Sequence, residues 1–142
     1  MALLLICTVG GSPQPLIKSI LFDPRPDKVV FVCSADTRGA VREKILPGIA
    51  EQGISLGPAQ YSVAEVSDPQ NLASCVREME AQITPHVRDW RAHDLPACSV
   101  TVDPTGGTKL MSIALGLIAR RWECTFRYIG GAARREGAAG PG

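Results

Sequence analysis

The sequence predicts an α/β protein: one domain built on a mostly parallel sheet of five or six strands, with helices on both faces. Three observations predict it. Short apolar runs alternate with amphipathic runs along the whole chain, the pattern of strand–helix–strand crossovers. Several apolar runs lack in–out alternation, so they suit strands covered on both faces. The length, 142 residues with 45% apolar residues, is that of one domain with a real core.

The elements follow in order. Ala2 to Thr8 is a continuous apolar run and reads as the first strand. Ser12-Pro13-Gln14-Pro15 opens a helix, with Ser12 as its expected cap and prolines in the first turn. Leu16, Ile17, Ile20 and Leu21 give that helix a buried stripe, and Pro24 and Pro26 close it. Lys28 to Ser34 is a second apolar strand. A helix from about Thr37 carries Val41, Ile45 and Ile49 on one face, and Pro47-Gly48 should break or kink it. Gln60 to Val66 alternates as a third strand. Asp68 is placed to cap the next helix, with Pro69 in its first turn. Leu72, Val76, Met79, Ile83, Val87 and Trp90 then recur at helical spacing, with Pro85 a candidate kink or end. Ala97 to Asp103 is the fourth strand, Thr108 to Arg121 the fourth helix, and Glu123 to Ile129 the fifth strand. Residues 1–131 make the domain. Residues 132–142, rich in Gly, Ala and Arg, are expected to form a flexible tail or the start of a linker. The arrangement is Rossmann-like, each crossover right-handed.

Composition removes several functions. With 15 basic and 14 acidic residues the formal charge is +1, so general DNA or RNA binding through a basic surface is not expected. No run is long enough to span a membrane, and the apolar start is too short and lacks the basic flank of a signal peptide. The five cysteines, Cys7, Cys33, Cys75, Cys98 and Cys124, are odd in number and contain no CxxC pair. They suit reduced thiols in a cytoplasmic protein, and argue against a disulfide framework or a zinc site. No cofactor and no metal are expected.

In open α/β sheets ligands bind outside the carboxyl ends of strands, where the strand order reverses. Two turns qualify. After the first strand comes Val9-Gly10-Gly11-Ser12-Pro13. Its glycines let a ligand approach the backbone, and Ser12 and the next helix can receive a phosphate; alone, it also reads as an ordinary strand-to-helix turn. After the fourth strand comes Asp103-Pro104-Thr105-Gly106-Gly107-Thr108-Lys109. A lysine at a helix start opposes the macrodipole, a cost that makes sense if an anion lies there. Thr105, Gly106, Gly107, Thr108 and Lys109 could hold phosphates together, while Asp103 could cap the turn or orient Lys109. A Walker loop needs GxxxxGK[ST], which this spacing does not give. The turn also resembles the aspartate loop of haloacid-dehalogenase-like enzymes, but a second carboxylate is lacking. Arg88 and His93 have the RxxxxH spacing of HEPN ribonucleases, yet five residues apart on one helix they diverge. His86 and His93 have no metal-ligand company.

The run Leu110-Met111-Ser112-Ile113-Ala114-Leu115-Gly116-Leu117-Ile118-Ala119 is apolar nearly all round. A helix covering one sheet face needs one apolar stripe, so the 108–121 helix is expected to meet a second partner, most simply another copy of the chain.

These residues resemble the CARF domain, the CRISPR-associated Rossmann fold of type III CRISPR ancillary proteins. The resemblance rests on Val9-Gly10-Gly11-Ser12-Pro13 near the start and Asp103-Pro-Thr-Gly-Gly-Thr-Lys-Leu-Met-Ser112 near the end. Tyr128-Ile-Gly-Gly131 with Arg134 and Arg135 is similar to the family's exit from its last strand. The resemblance implies a homodimer that binds a cyclic oligoadenylate, a ring of four or six adenylates, across its twofold axis. It implies a pocket lined by Gly10, Gly11, Ser12, Thr105, Gly106, Gly107, Thr108 and Lys109, with Asp103 beside them. Ser34, Asp36 and Thr37, ending the second strand, are placed to touch an adenine or ribose. Family members usually carry an effector after this domain, so a C-terminal effector beyond this chain is one expectation. Two functions stay open: a sensor that holds the ring intact, or a metal-independent ring nuclease. In the second, the ribose 2′-hydroxyl attacks the neighbouring phosphate to leave linear products with a 2′,3′-cyclic phosphate, and Lys109 and Ser12 are the catalytic candidates. A domain for a mononucleotide or dinucleotide is a third reading, weakened by the missing GxGxxG.

Overall fold

The computed structural model describes residues 2–92 and 98–128, with Cys98 described in its backbone only. The expected fifth-strand end at Ile129, the Gly130-Gly131 exit, the 132–142 tail and His93 lie outside the described residues. The elements are β1 (Ala2–Thr8), α1 (Gln14–Leu21), β2 (Lys28–Ser34), α2 (Arg38–Ala40), a π-helical turn (Val41–Ile45), α3 (Leu46–Ala50), a 3-10 turn (Pro58–Gln60), β3 (Tyr61–Val66), α4 (Leu72–Ala92), β4 (Cys98–Asp103), α5 (Lys109–Ala119) and β5 (Thr125–Phe126). All strand pairs are parallel, in the order β3-β2-β1-β4-β5. The chain builds outward from β1 to β3, then crosses back to place β4 on the other side of β1. The strand order therefore reverses between β1 and β4, the two strands that precede the two glycine turns.

Alternate residues of the central strands feed two cores. Leu4, Ile6, Val30, Val32, Val100 and Val102 face α4 and α5, meeting Met79, Ile83, Met111, Leu115 and Ile118. Leu5, Cys7, Val29, Phe31 and Cys33 face α1 and the α2–α3 segment, meeting Leu16, Ile20, Val41, Ile45 and Ile49. Burial on both faces is why β1 and β2 are continuously apolar.

Several expectations are corrected. Ser12 does not cap α1: the cap position is Pro13, with no side-chain bond, and Pro13 O accepts from Leu16 and Ile17. Asp68 does not cap α4. Its Oδ1 accepts from the Gln70 amide in a local turn, and the helix begins later, where Asn71 Oδ1 accepts from Ser74 N at 2.9 Å. Pro85 neither ends nor shortens α4, which runs on to Ala92. Pro47 produces a wider turn. It cannot donate, and its ring would crowd the carbonyl four residues back, so the chain opens into the π-helical turn, where Leu46 N donates to Val41 O five residues away. The fifth strand among the described residues is Thr125–Phe126, both exposed. Among the described residues Cys7, Cys33 and Cys75 are buried free thiols, and Cys124 is a half-buried one.

Candidate functional site

The site is made where β1 and β4 end side by side. Their register pairs Cys7 with Asp103, so Thr8 and Pro104 continue together into the two turns. The turns then pack backbone on backbone. A Cβ on Gly106 would lie 2.3 Å from Thr8 O, and one on Gly10 would lie 2.7 Å from Gly107 N. Only glycine permits this approach. Gly107 also takes φ +80°, a left-handed conformation natural to glycine.

Hydrogen bonds lock the second turn from three sides. Thr8 Oγ1 donates to Gly106 O at 2.5 Å. Ser112 Oγ, one turn into α5, donates to Pro104 O at 2.6 Å and lies 3.3 Å from Gly106 O. Thr108 caps α5, its Oγ1 accepting from Met111 N at 3.1 Å and donating to Pro69 O at 2.6 Å. Thr105 folds back on Asp103, giving both its amide and its hydroxyl to Asp103 Oδ1.

These bonds sort the expected site residues. The structure brings Gly10, Gly11, Ser12, Asp103, Thr105, Gly106, Gly107, Thr108 and Lys109 to one edge of the sheet. Two of the expected anion donors are spent inside the protein: the Thr105 and Thr108 hydroxyls already donate to Asp103 and to Pro69 O. What stays open is backbone. The amides of Gly11, Ser12, Gly106, Gly107 and Thr108 donate to no described acceptor. Lys109, exposed in the first turn of α5, has no described partner. Gly11 and Ser12 are exposed beside them, and a Cβ on Gly11 would meet nothing. Ser34, Asp36 and Thr37 sit at the neighbouring end of β2, on the same edge. There the Thr37 hydroxyl accepts from Ser34 N at 3.0 Å and closes a local turn, while Asp36 is exposed.

Sequence reasoning passed over Thr8 and Ser112, which hold the turn. Their signal was a lone hydroxyl ending an apolar strand and another one turn into an apolar helix. It also passed over Arg127, which follows β5. Arg127 Nη1 donates to Ser19 O at 2.7 Å, and its guanidinium stacks 4.8 Å from the Phe22 ring. Burial lowers the Arg127 pKa from its ordinary value, and the charge of Asp103 works against that. The Cys7 thiol is pushed well up, first by burial and then by Asp103. No histidine serves the turns among the described residues. His86 lies within α4, its pKa lowered by burial and by the charge of Lys28.

A groove of about 540 Å³ lies elsewhere, between the carboxyl ends of α4 and α5 around Val87, Arg88, Arg91 and Trp122. The glycine turns form instead an open shelf of amide donors flanked by one lysine. Such a shelf suits negative oxygen atoms, and no group of three or more possible metal ligands occurs among the described residues.

No family model matches the chain, and no curated protein matches it significantly. Solved structures do. The likeness is one of fold. Can2 from Sulfobacillus thermosulfidooxidans, solved in complex with cyclic tetra-adenylate, is 18% identical over 92% of this chain and 32% of its own, with a TM-score of 0.62. Enterococcus italicus Csm6, bound to cyclic hexa-2′-fluoro-hexa-dAMP, is 15% identical over 90% of this chain and 32% of its own, with a TM-score of 0.65. Protein VC1899 from Vibrio cholerae is 9% identical over 89% of this chain and 30% of its own, with a TM-score of 0.67. The chain thus spans about a third of the length of each of these proteins.

Proposed function

We propose that this chain is a CARF-type sensor domain that binds cyclic tetra- or hexa-adenylate in type III CRISPR defence. The observation that carries the reading is the pair of glycine turns joined backbone to backbone at the strand-order reversal, where several amides have no acceptor among the described residues and Gly11, Ser12 and Lys109 are exposed. A ring of phosphodiesters needs several N–H donors and few full charges, which suits a chain of net charge +1. Two proteins of the same fold were solved with rings of this chemistry.

The binding unit in this reading is a homodimer. Ile113 and Leu117, one turn apart on α5, are 49% and 45% exposed, and Gly116 between them opens onto empty space. A second copy on this strip would bury it and bring two shelves together about one twofold axis, the symmetry of a ring of four or six equal units. A C-terminal effector beyond this chain is part of the same proposal, supported by the share of the neighbours that the chain spans. A cytoplasmic setting fits the four free thiols described, and no described helix is long and apolar enough to cross a membrane.

Isothermal titration with cyclic tetra-adenylate and cyclic hexa-adenylate tests the reading. Saturable binding of one ring per two chains is expected, weakened at least tenfold in Lys109→Ala with the melting temperature unchanged. Absence of binding to both rings, or equal affinity in wild type and variant, would overturn it.

A further inference from the structure

The role of Asp103 can be taken further. It ends β4, and only 1% of it is exposed. Oδ1 accepts two bonds from Thr105, the amide at 3.0 Å and the hydroxyl. Oδ2 is buried and has no hydrogen-bond partner among the described residues. A carboxylate oxygen left this way is costly; the charge of Arg127 offsets part of that cost, and the hydrogen bonds are made by Oδ1 alone. The work of Oδ1 is visible in the turn. Folding Thr105 back sets Pro104 and Gly106, whose carbonyls receive Ser112 and Thr8. This in turn fixes Gly107 in its left-handed conformation ahead of the Thr108 cap. The exposed residues of this edge are Gly11, Ser12 and Lys109, while Asp103 is buried beneath the turn.

We propose that Asp103 is a positioning residue: it shapes the shelf from below through Thr105, touches no ligand, and takes no part in proton transfer. The proposal rests on the binding reading above, and extends it by separating the groups that hold the ring from the group that holds the turn.

The test compares Asp103→Asn with Asp103→Ala, because asparagine keeps the Oδ1 acceptor while replacing Oδ2 by an amide NH2 and removing the charge. Two readouts are needed. One is affinity for cyclic tetra- and hexa-adenylate. The other is NMR-detected hydrogen exchange of the Met111 amide in the ligand-free protein; this amide is bonded to Thr108 and not to Asp103. Asp103→Asn should bind within about threefold of wild type, or more tightly, with Met111 exchange within about twofold. Asp103→Ala should lose at least tenfold in affinity and exchange Met111 at least fivefold faster. Equal loss of binding in both variants, with unchanged exchange, would make Asp103 a ligand contact and overturn the proposal. Met111 exchange unchanged in Asp103→Ala would also overturn it. If Asp103→Ala does not fold, Thr105→Val removes one donor to Oδ1 and must speed Met111 exchange; no change would count against the proposal. If wild type binds neither ring, the functional reading falls, and the exchange comparison still decides the role of Asp103.

Discussion

A methyl group on Gly106 would collide with the Thr8 carbonyl oxygen at 2.3 Å, and the atom it meets is backbone, which cannot rotate away. Gly106→Ala should therefore push the two turns apart and cost about 2 kcal/mol or more, the scale of overpacking in a tight site. A urea titration would show it as a lowered midpoint. Gly11→Ala, where a Cβ meets nothing, should leave that midpoint within about 0.5 kcal/mol. Thr8→Val deletes the hydroxyl that donates to Gly106 O and should cost about 1 kcal/mol, the net worth of one internal hydrogen bond. At this scale the sequence was informative but incomplete. Gly10, Gly106 and Gly107 were legible because doubled glycines after strands serve few purposes. The division of labour was not. Thr105 and Thr108 look like anion ligands in a linear string, and only the folded turn shows that their hydroxyls are already spent on Asp103 and on Pro69 O.

The elements themselves were largely readable. β1 and β2 lie where their apolar runs lie, since burial on both faces leaves little freedom in composition. Helix starts were less readable. Ser12, Asp68 and Asn71 are all competent caps, and the choice among them depends on where the crossover delivers the chain. Asn71→Ala should cost α4 about 1 kcal/mol, while Asp68→Ala should cost less, because Asp68 serves only a local turn. Thermal melts of the two variants would rank them. α5 is the element with surplus apolar surface. Gly116→Arg places a long cation where Ile113 and Leu117 leave an exposed strip, so it should give a folded monomer. A dimeric mass by light scattering would show that the strip is not the interface.

Across the whole molecule, the sheet order puts both glycine turns at one reversal point and sets the buried thiols behind them. Cys33, next to the last residue of β2, has its thiol pKa pushed from 9.0 to about 12, chiefly by burial. The sign follows from proton counting. Between pH 9 and 12 the unfolded chain has released this proton while the folded chain still holds it, so stability falls with rising pH at about 1.4 kcal/mol per unit. Below pH 9 both states hold the proton and the slope vanishes. Urea midpoints at pH 8 and pH 10.5 should therefore converge in Cys33→Ala relative to wild type; parallel falls would contradict this. The topology was legible as alternating strands and helices. The register that sets Asp103 beside Cys7 was not, because it depends on three-dimensional pairing of strands almost a hundred residues apart.

Native mass spectrometry separates ring binding from ring cleavage. The protein would be mixed with cyclic tetra-adenylate and cyclic hexa-adenylate in the presence of chelator and followed over time. One intact ring on two chains is expected, stable through the time course. Rings converted to linear fragments carrying a 2′,3′-cyclic phosphate would contradict the sensor reading and make the chain a ring nuclease, with Ser12 and Lys109 as the groups to replace first. A spectrum of the unliganded chain with both rings would contradict it altogether.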